Sequence, residues 1–126
     1  MKRLFLSLLL PLLLAGCQTN DFRAYQSVRV GMTRDEARGA FTKYGFQLAD
    51  SQVRPTNGWP SADNASFGLA SSGLPERARL VEQKLGSTIA SADYFPIGHG
   101  WFGFSRVFLF YSPDNRLVDF YRHQIN

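Results

Sequence analysis

The end of the chain carries the pattern that most restricts its fold. Residues 106–111 (Arg-Val-Phe-Leu-Phe-Tyr) form an apolar run, and residues 116–122 alternate between two faces. A period of two residues is typical of a β-strand, whose successive side chains point to opposite sides. Between these segments, residues 112–115 (Ser-Pro-Asp-Asn) have turn chemistry, because Pro presets φ and Asn tolerates the left-handed region. The sequence therefore predicts a C-terminal antiparallel hairpin and, with it, a sheet.

A capping box opens the first predicted helix. The Thr33 hydroxyl can accept a hydrogen bond from the Glu36 amide, while the Glu36 carboxylate can accept one from the Thr33 amide. An apolar stripe follows at helical spacing, and Gly45 suits the left-handed turn that ends many helices. We therefore predict a helix over residues 34–44. Its stripe consists of Ala37, Ala40, Phe41 and Tyr44.

The middle of the chain predicts a strand, a loop, a second helix and another strand. Pro75 at the first position and Gly86 after the last favour a helix over residues 75–85. The loop is rich in Pro, Gly, Ser and Asn, and its Trp59 is either an anchor of the loop or a contact residue. The predicted strands are residues 46–53 and 88–95, the loop is residues 54–73, and the apolar face of the helix is Leu74, Ala78, Val81 and Leu85.

Together these elements predict an α+β domain of two layers. An N-terminal helix, or a helix pair, packs on a small antiparallel sheet that ends in the C-terminal hairpin, with the second helix inserted. We expect residues 28–126 to form this single domain, because about a hundred residues suffice for one compact unit and not for two.

The N-terminus has the pattern of a leader. Two basic residues precede an apolar run of eleven residues, which is too short for a membrane span of about 20. Residues 14–17 (Leu-Ala-Gly-Cys) resemble the bacterial lipobox, in which the Cys thiolate accepts a diacylglycerol. Cys17 is the only cysteine of the chain. We therefore predict a signal peptide over residues 1–16, lipidation of Cys17 and a lipidated tether over residues 17–27.

The predicted anchor implies a location and a class of partner. A diacylglycerol and an N-acyl chain such as palmitate on Cys17 are expected to hold the protein on a membrane, because stable anchoring needs more than one chain. Gln18 stands where retention signals of the inner membrane have Asp, which favours the periplasmic face of the outer membrane. Without the leader, the chain has 12 basic and 10 acidic residues. The basic residues form no consecutive run, so nucleic acid is not an expected partner.

The segment that leads into the first helix resembles a family motif. Residues 28–37 (Val-Arg-Val-Gly-Met-Thr-Arg-Asp-Glu-Ala) are similar to the opening of the SmpA/OmlA family. These small outer-membrane lipoproteins include the E subunit of the β-barrel assembly machinery. In physical terms, Gly31 allows a tight turn, Met32 supplies an apolar contact, and Thr33 caps the helix with Glu36.

The resemblance covers the lipobox, residues 28–45 and the hairpin. Ala37 stands where the family usually has Val, and the stretch between helix and hairpin is much longer than in the family. The resemblance implies a supporting role in outer-membrane protein assembly or envelope integrity, exercised through a protein partner. The alternative is an envelope lipoprotein of the scaffold or inhibitor type, which binds an unrelated protein, peptidoglycan or a lipid component.

Residues 96–104 alternate glycines with large rings, and they are the candidate contact segment. One interpretation is an exposed loop that docks a protein partner, because aromatic side chains dominate interface hot spots. The other is a loop whose rings fold back on the core while its glycines permit turns. The candidate contact residues are His99, Trp101, Phe102 and Phe104.

The sequence predicts a non-enzymatic protein with no catalytic residue, resident cofactor or metal site. His99 and His123 are its only histidines, and their spacing does not match common metal-binding pairs. Asp93 and Asp119 are expected to be solvated or bonded to Arg rather than to act as an acid–base pair. The basic residues of the second helix are expected to form a solvated face, with contact to anionic lipid as the alternative; they are Arg77, Arg79 and Lys84.

Overall fold

The computed structural model describes residues 20–60, 73–100 and 103–125. The predicted signal peptide, Cys17 and most of the predicted loop lie outside these ranges. Among the described residues, no helix has the length and apolarity needed to cross a membrane.

The described part of the chain folds into three helices and one four-stranded sheet. The strands are all antiparallel and lie in the order β1-β2-β3-β4, so each strand neighbours the next one in sequence. This arrangement confirms the predicted α+β class, with its C-terminal hairpin and inserted helix. The elements are α1 (Asn20–Ser27), α2 (Arg34–Thr42), β1 (Asp50–Val53), α3 (Leu74–Leu85), β2 (Ser91–Gly100), β3 (Gly103–Tyr111) and β4 (Leu117–Ile125).

The capping box at the start of α2 is confirmed. The Glu36 amide donates to the Thr33 hydroxyl at 3.2 Å, and the Thr33 amide donates to the Glu36 carboxylate at 3.4 Å. The helix ends at Thr42, two residues earlier than predicted. Gly45, with a φ of 88°, reverses the chain just beyond it.

Helices α1 and α2 cover one face of the sheet and form the first core. Phe41 of α2 stacks on Phe95 of β2 with ring centroids 5.0 Å apart. Tyr25 of α1 meets the edge of Phe120 on β4 at 5.5 Å. Each fully buried side chain of this size stabilises the fold by about 1.5–3 kcal/mol. The buried members of this core are Ala24, Val28, Ala37, Ala40, Phe41, Phe95, Ile97, Val107, Leu109, Tyr111 and Leu117.

Helix α3 covers the opposite face of the sheet and forms the second core. Because strand side chains alternate, Phe108 and Phe110 face this core while Val107 and Leu109 face the first. The fold therefore has three layers, and the predicted two-layer arrangement is wrong. The physical reason lies in β3, whose two apolar faces both require cover. The buried members of the second core are Trp59, Leu74, Ala78, Val81, Ile89, Ala92, Phe108 and Phe110.

The part of the predicted tether that the structure describes, from Asn20 onward, is a helix that packs on the sheet. Helix α1 spans eight residues, and its Ala24 is 0% exposed. Ala24 and Val28 are four residues apart, so both face the sheet and join the first core.

Two strand predictions and one helix contact are corrected. Strand β1 is only four residues long, shorter than the predicted strand 46–53. Residues 96–100 and 103–104 belong to β2 and β3 rather than to a loop, because a register shift between Pro96 and Gly98 accommodates the proline in the ladder. Leu85 was expected on the buried face of the second helix, but it is 40% exposed, since it is the last residue of α3 beside an exposed turn.

Candidate functional site

Two of the four predicted contact residues lie where the ladder between β2 and β3 ends. His99 and Phe104 are cross-strand partners, and the next pair, Gly100 with Gly103, closes the ladder. The structure thus brings His99 and Phe104 together in register at one end of the sheet. Trp101 and Phe102, which stand between the two glycines in sequence, lie outside the described residues.

The second histidine makes a structural contact. His123 lies on β4, and its Nδ1 accepts a hydrogen bond from Nε of Arg106 at 3.2 Å. Burial, together with the charges of Arg77 and Arg106, lowers the pKa of His123 below its ordinary value. In the part of the chain that the structure describes, no group of three His, Cys, Asp or Glu residues is placed to hold a metal ion.

The most buried charged group of the described residues is the carboxylate of Asp93, which is 0% exposed. Arg38 donates two hydrogen bonds to this carboxylate, from Nε at 2.7 Å and from Nη2 at 2.9 Å. Ser51 and Tyr111 donate their hydroxyl groups to it, each at 2.7 Å. The carboxylate joins α2 to three neighbouring strands, because Arg38 lies on α2, Ser51 on β1, Asp93 on β2 and Tyr111 on β3.

The electrostatics of this cluster keep Arg38 and Tyr111 protonated. Hydrogen bonding to Asp93 raises the pKa of Arg38 above its ordinary value. Burial raises the pKa of Tyr111, and the Asp93 charge raises it further. A carboxylate offers about four lone-pair positions, and four donors already occupy them. Asp93 therefore has no acceptor left for a substrate proton, and its cluster acts as a structural ion pair.

A second guanidinium lies beside the Asp93 cluster. Arg34 stands 5.2 Å above the ring of Tyr111 and donates to the hydroxyl of Ser91. The pair of Asp93 and Asp119, considered above as acid and base, does not form. Asp93 points to the first core, whereas Asp119 pairs at 3.2 Å with Lys84 of α3, on the other side of the sheet.

A groove of about 300 Å³ runs between α3 and β4. Its walls are mostly apolar and include Leu80, which is 48% exposed, together with Tyr121. Charged groups border the groove: Arg77, and the ion pair of Lys84 with Asp119. The groove is therefore an apolar cleft whose border carries charges of both signs.

The basic residues of α3 form only in part the solvated face that was expected. The guanidinium of Arg77 lies 4.6 Å from the ring centroid of Phe108 and 5.3 Å from that of Tyr121. It also donates to the Tyr121 hydroxyl. Arg79 is half-buried, whereas the side chain of Lys84 is 67% exposed, as expected, and pairs with Asp119. Guanidinium groups stack well on aromatic rings, so the rings of the second core draw Arg77 inward.

Trp59 is an anchor of its loop. It is 6% exposed, packs in the second core, and donates its indole N–H to the carbonyl of Ile89 at 2.9 Å. Sequence reasoning missed Arg38, Ser51 and Tyr111, the partners of Asp93. The only signal was the off-stripe position of Arg38, and surface arginines share that position.

No family model, curated protein or solved structure matches this chain.

Proposed function

We propose that this protein is a lipoprotein of the outer membrane that faces the periplasm and acts there as a non-enzymatic binding or accessory module. The observation that carries the proposal is the position of its sole cysteine. Cys17 follows small residues directly after a positively charged, apolar leader. That order supports cleavage before Cys17 and acylation of its thiol and its new amino group.

The lipid is the part of the proposal with the clearest energetics. Each buried CH₂ contributes about 0.8 kcal/mol, so two or three acyl chains hold a protein of this size on its membrane. The folded part then works within a short distance of the bilayer, as a resident of the envelope.

Within this proposal, the partner is a protein of the outer-membrane envelope. The similarity to the SmpA/OmlA family supports a role in outer-membrane protein assembly or envelope integrity. The motif that carries this similarity has a packing role: Gly31 has a φ of 97°, Met32 packs against the first core, and Thr33 caps α2. The motif therefore supports the fold, and the contact with a partner falls to other residues.

The contacts of the described ionisable groups support a binding role over catalysis. Arg38 and two hydroxyl groups saturate Asp93, Lys84 pairs with Asp119, and Arg106 donates to His123. A catalytic site needs a base or nucleophile that is free to meet a substrate.

The groove between α3 and β4 favours a second candidate function. An apolar cleft of this kind, with Arg77 and the Lys84–Asp119 pair at its border, suits the apolar part of an amphiphile of the envelope, which would make the protein a binder of a lipid component. The second candidate shares the anchor with the first and differs in the ligand.

Two measurements test the first candidate. Mass spectrometry of the mature protein should show Cys17 at the N-terminus with acyl chains attached. Co-purification after mild solubilisation should then recover subunits of the barrel-assembly machinery. Their absence under conditions that retain other outer-membrane complexes would count against that partner, while an unmodified Cys17 with the leader attached would refute the anchor itself.

Replacing Trp101 with Ala should weaken partner capture and leave the melting temperature nearly unchanged, because we assign this residue to contact. The matched control is Trp59→Ala, which removes an anchor of the second core and should cost about 3–5 kcal/mol of unfolding free energy. Capture measured by pull-down and melting followed by circular dichroism separate the two roles. A large drop in the melting temperature of the Trp101 variant would make Trp101 a core residue.

A further inference from the structure

Helix α1 runs antiparallel to β4, and three contacts fix its direction. Near its start, Asp21 pairs with Arg122 at 3.4 Å. Further along, Tyr25 contacts Phe120 at 5.5 Å between ring centroids. Beyond its end, the Gly31 amide donates to the carbonyl of Leu117 at 2.8 Å. The first residues of α1 therefore lie beside the last residues of β4.

The same end of the sheet carries the connection between β2 and β3. Phe104 pairs with Ile125 at the end of β4, and Gly103 forms the last pair of the β2–β3 ladder. The carboxylate of Asp21 also lies close to Gly98, since an added Cβ there would stand 3.7 Å from it. We call this the tip end; the opposite end, with the β3–β4 turn of residues 112–116, is the turn end.

The position of the lipid restricts the orientation of the domain relative to the membrane. Asn20 follows Cys17 by three positions in the sequence, and an extended chain spans at most about 3.6 Å per position, so the acylated residue lies within about 11 Å of α1. Strand β3 spans nine residues from Gly103 to Tyr111. At about 3.3 Å per residue, the turn end lies about 26 Å from the tip end. If the turn end faced the bilayer, this short connection would not reach.

The charges of the tip end are compatible with a membrane surface. Arg106 and Arg122 lie near the tip end, with Asp21 as the acid paired with Arg122. At the turn end, Arg116 and Arg34 stand beside Asp114 and the acidic first turn of α2, so the charges there largely balance. Because cationic side chains favour a membrane with anionic headgroups, the small positive excess of the tip end agrees with the restriction set by the tether.

From these observations we infer that the domain stands with its tip end on the lipid headgroups, its strands running away from the bilayer and its turn end exposed to the periplasm. The occupant of the tip-end surface is thus a lipid surface. This inference rests on the proposed function, because it requires the acylated Cys17.

The test measures the distance of each end from the bilayer. Single cysteines replace Gly103 at the tip end and Asp114 at the turn end, with Gly100→Cys as a second tip-end variant. Because acylation blocks Cys17, which is the only native cysteine, each variant has one free thiol for an environment-sensitive fluorophore. The lipidated, labelled proteins are placed in vesicles of phosphatidylethanolamine and phosphatidylglycerol that contain a lipid with a spin label on its headgroup.

We expect the spin label to quench the fluorophore at Gly103→Cys and Gly100→Cys several-fold more strongly than the fluorophore at Asp114→Cys. Equal quenching at both ends would show a domain that lies flat and would overturn the inference, as would no quenching at either end. Circular dichroism checks that each variant is folded, and the second tip-end variant replaces the first if that one is not.

Mass spectrometry of the same samples separates this failure from failure of the proposed function. Acylated Cys17 with no preferential quenching refutes the orientation and leaves the lipoprotein assignment standing. Unmodified Cys17 refutes both.

Discussion

At the residue scale, Asp93 links α2 to three strands through one buried carboxylate. Its four donors come from Arg38, Ser51 and Tyr111. Such a group stabilises the native arrangement only while its partners remain, because an unpaired charge in the interior is costly.

Replacing Asp93 with Ala should lower the free energy of unfolding by about 3 kcal/mol, near the lower end for a broken buried pair, because Arg38 is 30% exposed and can still reach water. Chemical denaturation measures this loss. The matched control is Asp119→Ala, which breaks a partly exposed pair with Lys84 and should cost about 0–1 kcal/mol. Equal losses in the two variants would contradict the structural role of Asp93.

His123 should titrate below its ordinary pKa of 6.5, because burial and the charges of Arg77 and Arg106 disfavour the imidazolium. The sign follows from linkage: the unfolded chain takes up the proton first, so acidification below about pH 6.5 removes the stability contributed by neutral His123. NMR titration reports the pKa. Arg106→Gln should raise it, whereas Arg116→Gln at the turn end should leave it unchanged; a His123 pKa above 6.5 in the native protein would sink this interpretation.

The sequence indicated that Asp93 and Asp119 would not form an acid–base pair, but it did not identify the residues that bind them. Asp93 was expected to be solvated or bonded to Arg, and its bond to Arg38 confirms this; Asp119 pairs instead with Lys84. These pairs join residues 55 and 35 positions apart in the chain. Only the folded sheet sets such distances, so no local pattern predicts them.

At the element scale, local signals were the reliable ones. The capping box of Thr33 and Glu36 fixed the start of α2, because its hydrogen bonds form within four residues. The length of β1 and the packing of α1 depend on distant neighbours. For α1 the informative residues were Ala24 and Val28, and two small apolar side chains give a weak pattern in a short segment.

The packing of α1 can be tested by placing Leu at a buried position and at an exposed position of the helix. Ala24→Leu should lower the free energy of unfolding by about 1–3 kcal/mol, because Ala24 has no room for a larger side chain in the first core. The control Gln26→Leu places the same side chain on the exposed side of α1 and should stay within about 0.5 kcal/mol. Similar values at both positions would mean that α1 does not pack on the sheet.

At the scale of the whole molecule, one sheet separates two cores. The α+β class followed from the sequence because the hairpin and both later helices carry clear periodicities. The third layer did not follow, since periodicity shows that a helix has an apolar face but not which side of the sheet that face covers. The apolar run of β3 was the available hint, because Val107 and Phe108 face opposite cores.

Because both cores share β2 and β3, the domain should unfold in a single transition. In a Trp101→Phe variant, Trp59 alone reports on the second core by fluorescence, while far-UV circular dichroism reports on all elements. The two urea curves should coincide, as two-state unfolding requires. Separate midpoints would show that one layer detaches before the other.

The hydrogen bonds that join Gly31 and Met32 to Leu117 also restrict when the first core can form during folding. The Gly31 amide donates to the Leu117 carbonyl, and the Leu117 amide returns a bond to the Met32 carbonyl at 2.7 Å. Gly31 and Leu117 are 86 positions apart in the sequence, so these bonds cannot form before β4 reaches the segment between α1 and α2. Contacts of such large sequence separation slow folding. The first core, which includes Leu117, is therefore complete only when that long-range contact has formed.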